Sequence, residues 1–244
     1  MSSSHYSKLD NLYTKSEIDT LIENVSEPDN IGDHVTETQS ANIANGSFDG
    51  LPIGSYWKID GTKYRIMDID TFYGYNSIST HHVVVVPDEI YGTTRPYGTT
   101  DNGGSYLGST IKTYIENTYN PYIISIFGNE HILTHLHDLN NYHSLVTYNV
   151  KAWLMNSYSL DGSRYTDEYL YSWKDADKRQ FRGFNIDLNL RTGINPNSGA
   201  RSAYWLCTTR DSYAGYACSV SYRGSVTAST TNSSLGVRPV FLVY

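Results

Sequence analysis

Near its C-terminal end the chain reads Ala203-Tyr204-Trp205-Leu206-Cys207-Thr208-Thr209, then Gly215-Tyr216-Ala217-Cys218-Ser219-Val220-Ser221-Tyr222, then Val237-Arg238-Pro239-Val240-Phe241-Leu242-Val243. Each run is rich in aromatic and β-branched residues. Turn formers separate them: Asp211-Ser212 after the first and Gly224 after the second. Three short strands are predicted. Trp205, Leu206, Val220 and Val237 are the expected core positions. Arg238 sits inside an apolar run, where a charged side chain needs a buried ion pair or carbonyl contacts.

Working outward, Ser55-Tyr56-Trp57-Lys58-Ile59 and Lys63-Tyr64-Arg65-Ile66-Met67 flank Asp60-Gly61, a dipeptide suited to a tight hairpin turn. His82-Val83-Val84-Val85-Val86 is a continuous apolar run closed by Pro87 and reads as a strand buried on both faces. Between these ends lies helical patterning. Ser109 can cap a helix that carries Ile111, Tyr114, Ile115 and Tyr119 on one face. Asn120-Pro121 restarts a short helical turn, with Gly128 as its stop. Lys151-Ala152-Trp153-Leu154-Met155 is a further strand candidate, and residues 156–199 read as irregular. Strands at both ends with helices between predict an α+β domain whose terminal strands meet in one antiparallel sheet.

The N-terminal residues 1–25 carry a different signal. Thr14-Lys15-Ser16-Glu17 fits a capping box, and Ile18, Leu21, Ile22 and Val25 then share one helical face. A helix of about three turns is marginal in water on its own. Residues 26–47 are polar and read as a linker, with little to fold over that face. The apolar stripe must therefore pack either on its own domain or, the favoured expectation, against copies of itself around a symmetry axis. The globular domain is expected over residues 48–244.

Composition narrows the function. Of the 244 residues only 18% are charged, while 23 are tyrosine, and the net charge is −7. An excess of acidic residues disfavours binding to nucleic-acid phosphates. No stretch approaches the roughly 18 apolar residues of a membrane helix, so no membrane insertion is expected. Met1-Ser2-Ser3-Ser4-His5-Tyr6 lacks the basic and apolar regions of a secretory leader. Tyrosine mixed with Ser, Gly and Asn is the alphabet of adaptable binding surfaces.

The closing words Tyr204-Trp205-Leu206-Cys207-Thr208-Thr209 and Gly236-Val237-Arg238-Pro239-Val240 resemble an uncharacterised domain family of Firmicutes and their phages. In that family a "WWLRS" word leads to a C-terminal "GVRPAL", and its layout is similar to C-type-lectin-like folds. The likeness extends upstream to Trp57-Lys58-Ile59, Tyr64-Arg65-Ile66, Ser109-Thr110-Ile111-Lys112-Thr113-Tyr114-Ile115 and Val150-Lys151-Ala152-Trp153-Leu154. Cys207 stands where the family usually has Arg. Separately, Leu12-Tyr13-Thr14-Lys15-Ser16-Glu17-Ile18-Asp19 resembles a segment of phage tail, fibre and baseplate proteins that precedes a trimeric stalk or modular tip.

These resemblances imply a virion structural protein, assembled in the host cytoplasm. It would be trimeric and attached to other virion proteins through its N-terminal segment, with its lectin-like domain turned to a host cell-surface glycan or protein. In such folds the late loops carry binding, which points to Arg210, Asp211, Tyr213, Tyr216, Tyr222 and Arg223 as ligand-binding candidates. A purely architectural decoration subunit and a bacterial surface module are the alternatives.

No catalytic word is present: no Gly-x-Ser-x-Gly elbow, phosphate loop or His-Glu-x-x-His. Asp88-Glu89 and Asp167-Glu168 read as solvated turns. No enzyme activity, cofactor or metal is expected. Asp68-Ile69-Asp70 and Asp161-Gly162-Ser163 are too sparse in oxygen ligands for calcium. His131 and His135 would share a helical face, and copies of His135-Leu136-His137 could meet a metal on a trimer axis. With His143, however, these histidines read better as solvated or hydrogen-bonded. Cys207 and Cys218 would face each other if the hairpin turn centred between Ser212 and Tyr213. They could then form a disulfide or remain thiols.

Overall fold

The structure, a computed structural model, describes residues 29–98, 105–142, 144–166, 168, 171–210 and 215–244. The predicted helix with Ile18, Leu21, Ile22 and Val25 lies outside these residues, as do Asp211, Tyr213 and His143. In chain order the strands are β1 (Asn30–Gly32), β2 (Tyr56–Ile59), β3 (Thr62–Ile69), β4 (Val83–Pro87), β5 (His135–Asn141), β6 (Ser144–Val150), β7 (Ala152–Leu154), β8 (Gly193–Ile194), β9 (Arg201–Ser202), β10 (Tyr204–Thr209), β11 (Tyr216–Val220), β12 (Val226–Thr230) and β13 (Pro239–Val243). The helices that matter here are α1 (Glu37–Ala44), α2 (Thr110–Tyr114), α3 (Asn120–Phe127) and α4 (Ser157–Asp161). The protein is α+β, with open and mostly antiparallel sheets. Among the described residues no helix is long and apolar enough to cross a membrane.

The main sheet has the order β1-β2-β3-β4-β13-β7. Asp60 and Gly61 turn the β2–β3 hairpin with φ of 49° and 85°, the left-handed pair that a tight hairpin requires. β4 and β13 occupy the centre, and every residue of both is buried. Their unbroken apolar sequence reflects that position, because both faces of these strands are covered. On one face Phe127 packs edge-on against Trp57, Tyr64 and Phe241, at 6.0, 5.2 and 5.2 Å between ring centroids.

The terminal strands divide between two sheets. β13 joins β4 and β7 in the main sheet, whereas β10, β11 and β12 form a second sheet of their own. Strand β12 is polar and half-exposed, and no apolar alternation marks it in the sequence. The two sheets are joined where the Trp205 amide donates to the Gly236 carbonyl (3.0 Å) and the Cys207 amide to that of Met155 (2.8 Å). A bulge between Trp205 and Thr209 shifts the β10–β11 register, so Cys207 and Cys218 are not placed directly opposite. Both are buried thiols.

The domain begins earlier than residue 48. From residue 29 the expected linker folds onto the sheet: β1 pairs in parallel with β2, and α1 follows. Thr36 and Gln39 form a complete capping box on α1. Gln39 also accepts from the Trp57 indole N–H (3.1 Å) and donates to the Ile31 carbonyl (2.9 Å). Val35 and Ile43, eight residues apart, are the buried apolar anchors, too few to leave a periodic signature.

The helical region also differs in detail. α2 is capped by Ser109 as expected, its hydroxyl accepting from the Lys112 amide. It runs into α3 without a break, through a π-helical turn at Ile115–Tyr119. Pro121 lacks an N–H and cannot complete the regular ladder, and the wider turn absorbs that defect. His131 lies in a short 3-10 turn and His135 in β5, so they share no helical face.

Candidate functional site

The four late-loop candidates among the described residues do not gather on one face. Arg210 follows β10 and Tyr216 opens β11, with the guanidinium 5.7 Å from the ring centroid. Tyr222 and Arg223 lie at the other end of β11, in the turn to β12, paired in the same way at 5.4 Å. A five-residue strand separates the two pairs, roughly 16 Å at the usual rise per residue. Asp211 and Tyr213 lie outside the described residues.

The β11–β12 turn is well determined locally. Its backbone closes through Gly224 N–H to Ser221 O and Ser221 N–H to Ser225 O, both 2.9 Å. Gly224 adopts φ 84°, and a Cβ there would come within 3.3 Å of Arg191 Cβ and 3.4 Å of Thr192 Cγ2. Glycine therefore serves both the turn and its close seat on the Arg191 segment. Tyr222 is 56% exposed.

Beside this turn opens a cleft of 270 Å³, lined by Asp161, Ser163, Arg164, Tyr165, Arg191 and Ser225 among others. α4 delivers Asp161: Asn156 caps its start by accepting from the Ser159 amide (2.8 Å), and Gly162 ends it in the left-handed conformation. Arg191 Nη1 meets Asp161 Oδ1 at 2.5 Å, and the Tyr204 hydroxyl donates to the Arg191 carbonyl at 2.7 Å. Arg164 donates to the Glu168 carbonyl. Among the described residues the cleft thus presents two guanidinium groups held by partners, one carboxylate, several hydroxyls and a tyrosine ring. Its charged residues lie on segments about thirty positions apart, which is why no local motif announced it.

Behind the cleft sits a buried polar interior. Glu168, expected in a solvated turn, is fully buried. The Ser157 hydroxyl donates to it, and burial pushes its carboxyl up to about 7. Asp177 is likewise raised to about 7 by burial, with the Tyr75 hydroxyl donating to it at 2.6 Å. His135 and His137 point into the core on β5 around Phe72 and Trp153, while Leu136 between them is exposed. This orientation removes them from any metal on a trimer axis. Among the described residues, no three His, Cys, Asp or Glu side chains are placed to hold a metal ion. Asp68 pairs instead with Arg182, and Asp70 with His81. Burial raises the Cys207 thiol well above its ordinary value, which keeps it unreactive.

The interior makes a testable prediction about pH. Burial lowers His135 from 6.5 to about 3, His137 well below 6.5, and His82 in the same direction. Their contribution is present above the unfolded value of 6.5 and is lost as pH falls through the folded values. Glu168 and Asp177 act oppositely: theirs is complete below the unfolded values near 4 and is lost as pH rises through about 7. His137 and Asp177 lie 3.5 Å apart and titrate together as a pair. Below 6.5 the three lowered histidines oppose the two raised carboxyls and outnumber them, and stability should rise with pH. Above 6.5 the carboxyls act alone, and stability should fall. Urea midpoints should therefore peak near pH 6.5, and Asp177→Asn should flatten the decline on the alkaline side. A midpoint that climbs steadily to pH 8 would contradict this assignment.

Compared with protein-family models, curated proteins and solved structures, the chain matches none.

Proposed function

We propose that the chain is a bacteriophage virion structural protein, borne on a tail, baseplate or head fibre, whose C-terminal domain is C-type-lectin-like and attaches to the host surface. The single observation that carries this reading is the β11–β12 turn, which presents exposed Tyr222 and Arg223 beside an open polar cleft on a rigid two-sheet support. Aromatic rings and planar arginine donors on a fixed scaffold are the usual anchors of recognition surfaces. The lectin-like layout is supported by the return of β13 to the sheet opened by β2–β4, with the late loops carried on a second small sheet. The phage assignment rests on the N-terminal words, and the trimer on the apolar stripe Ile18, Leu21, Ile22 and Val25. The domain acts here as a binding module and performs no chemical step.

The test is sedimentation of the labelled full-length chain with whole Gram-positive cells. Saturable binding is expected, and Tyr222→Ala combined with Arg223→Ala should weaken it about tenfold or more, the loss of one interface anchor. Binding no better than an unrelated acidic protein would discard attachment in favour of the decoration subunit.

A further inference from the structure

We infer that the cleft between α4 and the β11–β12 turn binds an anionic oxygen group, a phosphodiester or a carboxylate, carried on an envelope polysaccharide. The inference rests on the attachment reading for the polysaccharide, but not for the anion. The chain as a whole carries a net charge of −7, yet among the described residues this cleft gathers Arg164 and Arg191 against the single carboxylate of Asp161. Arg223, one residue from the lining Gly224 and with its guanidinium over the Tyr222 ring, adds a positive charge beside the cleft rather than in its lining. A local positive potential on an acidic molecule attracts anions selectively, because the remaining surface repels them.

The geometry suits an oxyanion. The Arg191 side chain is 22% exposed, its stem lies under Gly224, and Asp161 holds one of its nitrogens. A guanidinium fixed in this way loses little side-chain freedom on binding, and its planar donors match phosphate or carboxylate oxygens. Asp161 remains available as an acceptor for a neighbouring hydroxyl. Ser163, Thr166 and Ser225 add hydroxyl partners, and Tyr165 offers a ring to a sugar face. These are the groups an acidic saccharide unit requires around its charge.

A second cleft, of 490 Å³, also has arginines, Arg179 and Arg182, with Asp68. There Arg182 is paired with Asp68 and the Ile69 carbonyl, but its side chain is 56% exposed and Arg179 is exposed as well, so both charges are screened by solvent. This difference in burial favours the α4 cleft and supplies the control.

The experiment titrates the full-length chain with glycerol 3-phosphate and, separately, with glucuronate, by calorimetry at low salt. At least one should saturate, and the affinity should fall several-fold when salt shortens the screening length. Arg164→Gln and the exposed Arg223→Glu should each weaken binding roughly fivefold, which corresponds to about 1 kcal/mol. Arg179→Glu should leave it unchanged. Saturation by the phosphate alone assigns a phosphodiester polymer, and by glucuronate alone a uronic acid polymer. No saturation by either probe, no effect of Arg223→Glu with Arg164→Gln, or loss on Arg179→Glu overturns the inference. Repeating the cell sedimentation with saturating glycerol 3-phosphate and glucuronate separates the two claims. Binding to cells that neither anion inhibits refutes the anion site and leaves attachment standing. Saturable anion binding without cell binding does the reverse.

Discussion

Replacing Arg238 by alanine is expected to cost about 3–5 kcal/mol, a large part of the roughly 5–15 kcal/mol typical of a whole domain. Arg238 is 1% exposed. Its Nε donates to the Pro87 carbonyl at 2.6 Å, and its Nη1 to the Leu190 carbonyl at 2.8 Å and the Tyr204 hydroxyl at 3.3 Å. The guanidinium carbon lies 5.2 Å from the Tyr204 ring centroid and 5.9 Å from that of Phe184. Among the described residues no carboxylate pairs with it, so carbonyls and ring faces together solvate the charge. One side chain thereby ties β4, the Leu190 segment and β10 together. Truncation leaves three acceptors buried without a donor, and also a cavity. Arg238→Lys should recover only part of the loss, because an ammonium cannot span the same acceptors in a plane. Urea unfolding of the full-length variants measures both effects. A loss under 1 kcal/mol for the alanine variant would mean that the clamp contributes little.

Gly236→Ala should be the next most damaging change, at about 1–3 kcal/mol or more. A Cβ at Gly236 would lie 2.4 Å from Ile90 Cγ2 and 2.9 Å from the Ala203 carbonyl oxygen. The glycine cannot move aside easily, since its amide donates to that same carbonyl (2.9 Å) and its own carbonyl accepts from Trp205 (3.0 Å). Ile90→Ala in the same chain removes the Cγ2 clash and leaves the backbone one, together with a 3.0 Å approach to the Cβ of residue 90. The double variant should therefore be less destabilised than the sum of the single changes, and the double-mutant cycle reads that coupling. Strict additivity would place the strain elsewhere.

These two residues also show how far the chain was legible. The Gly-Val-Arg-Pro word at residues 236–239 was visible as a word, and a buried ion pair or carbonyl contacts for Arg238 follow from a charge set in an apolar run; the structure chose carbonyls. The partners of that charge lie about 30, 50 and 150 residues away, and no local pattern names them. The β2–β3 hairpin and β4 were readable for the same reason as Arg238: turn chemistry and continuous apolar runs are local properties. The β5–β6 hairpin was not readable. Of the buried residues of β5 only Leu139 is apolar, while His135, His137, Asp138 and Asn140 are polar, and a polar interior imitates a solvated loop. The segment at 29–47 failed similarly, although the Thr36–Gln39 capping box is the same signal that was read at Thr14–Glu17.

By itself the sequence determined the elements with strong local signals, such as the β2–β3 hairpin, β4, β10, β11, β13 and the Ser109-capped helix, because capping, turn dihedrals and side-chain periodicity act over a few residues. It thereby settled the α+β class, the core positions Trp205, Leu206, Val220 and Val237, and the buried role of Arg238. Tertiary structure alone decided which sheet each terminal strand joined, and it turned His135 and His137 inward. It also separated Arg210 and Tyr216 from Tyr222 and Arg223, and brought Asp161, Arg164 and Arg191 to one cleft. Those outcomes depend on burial and on contacts between distant segments, where desolvation and packing decide between arrangements that local preference leaves equal.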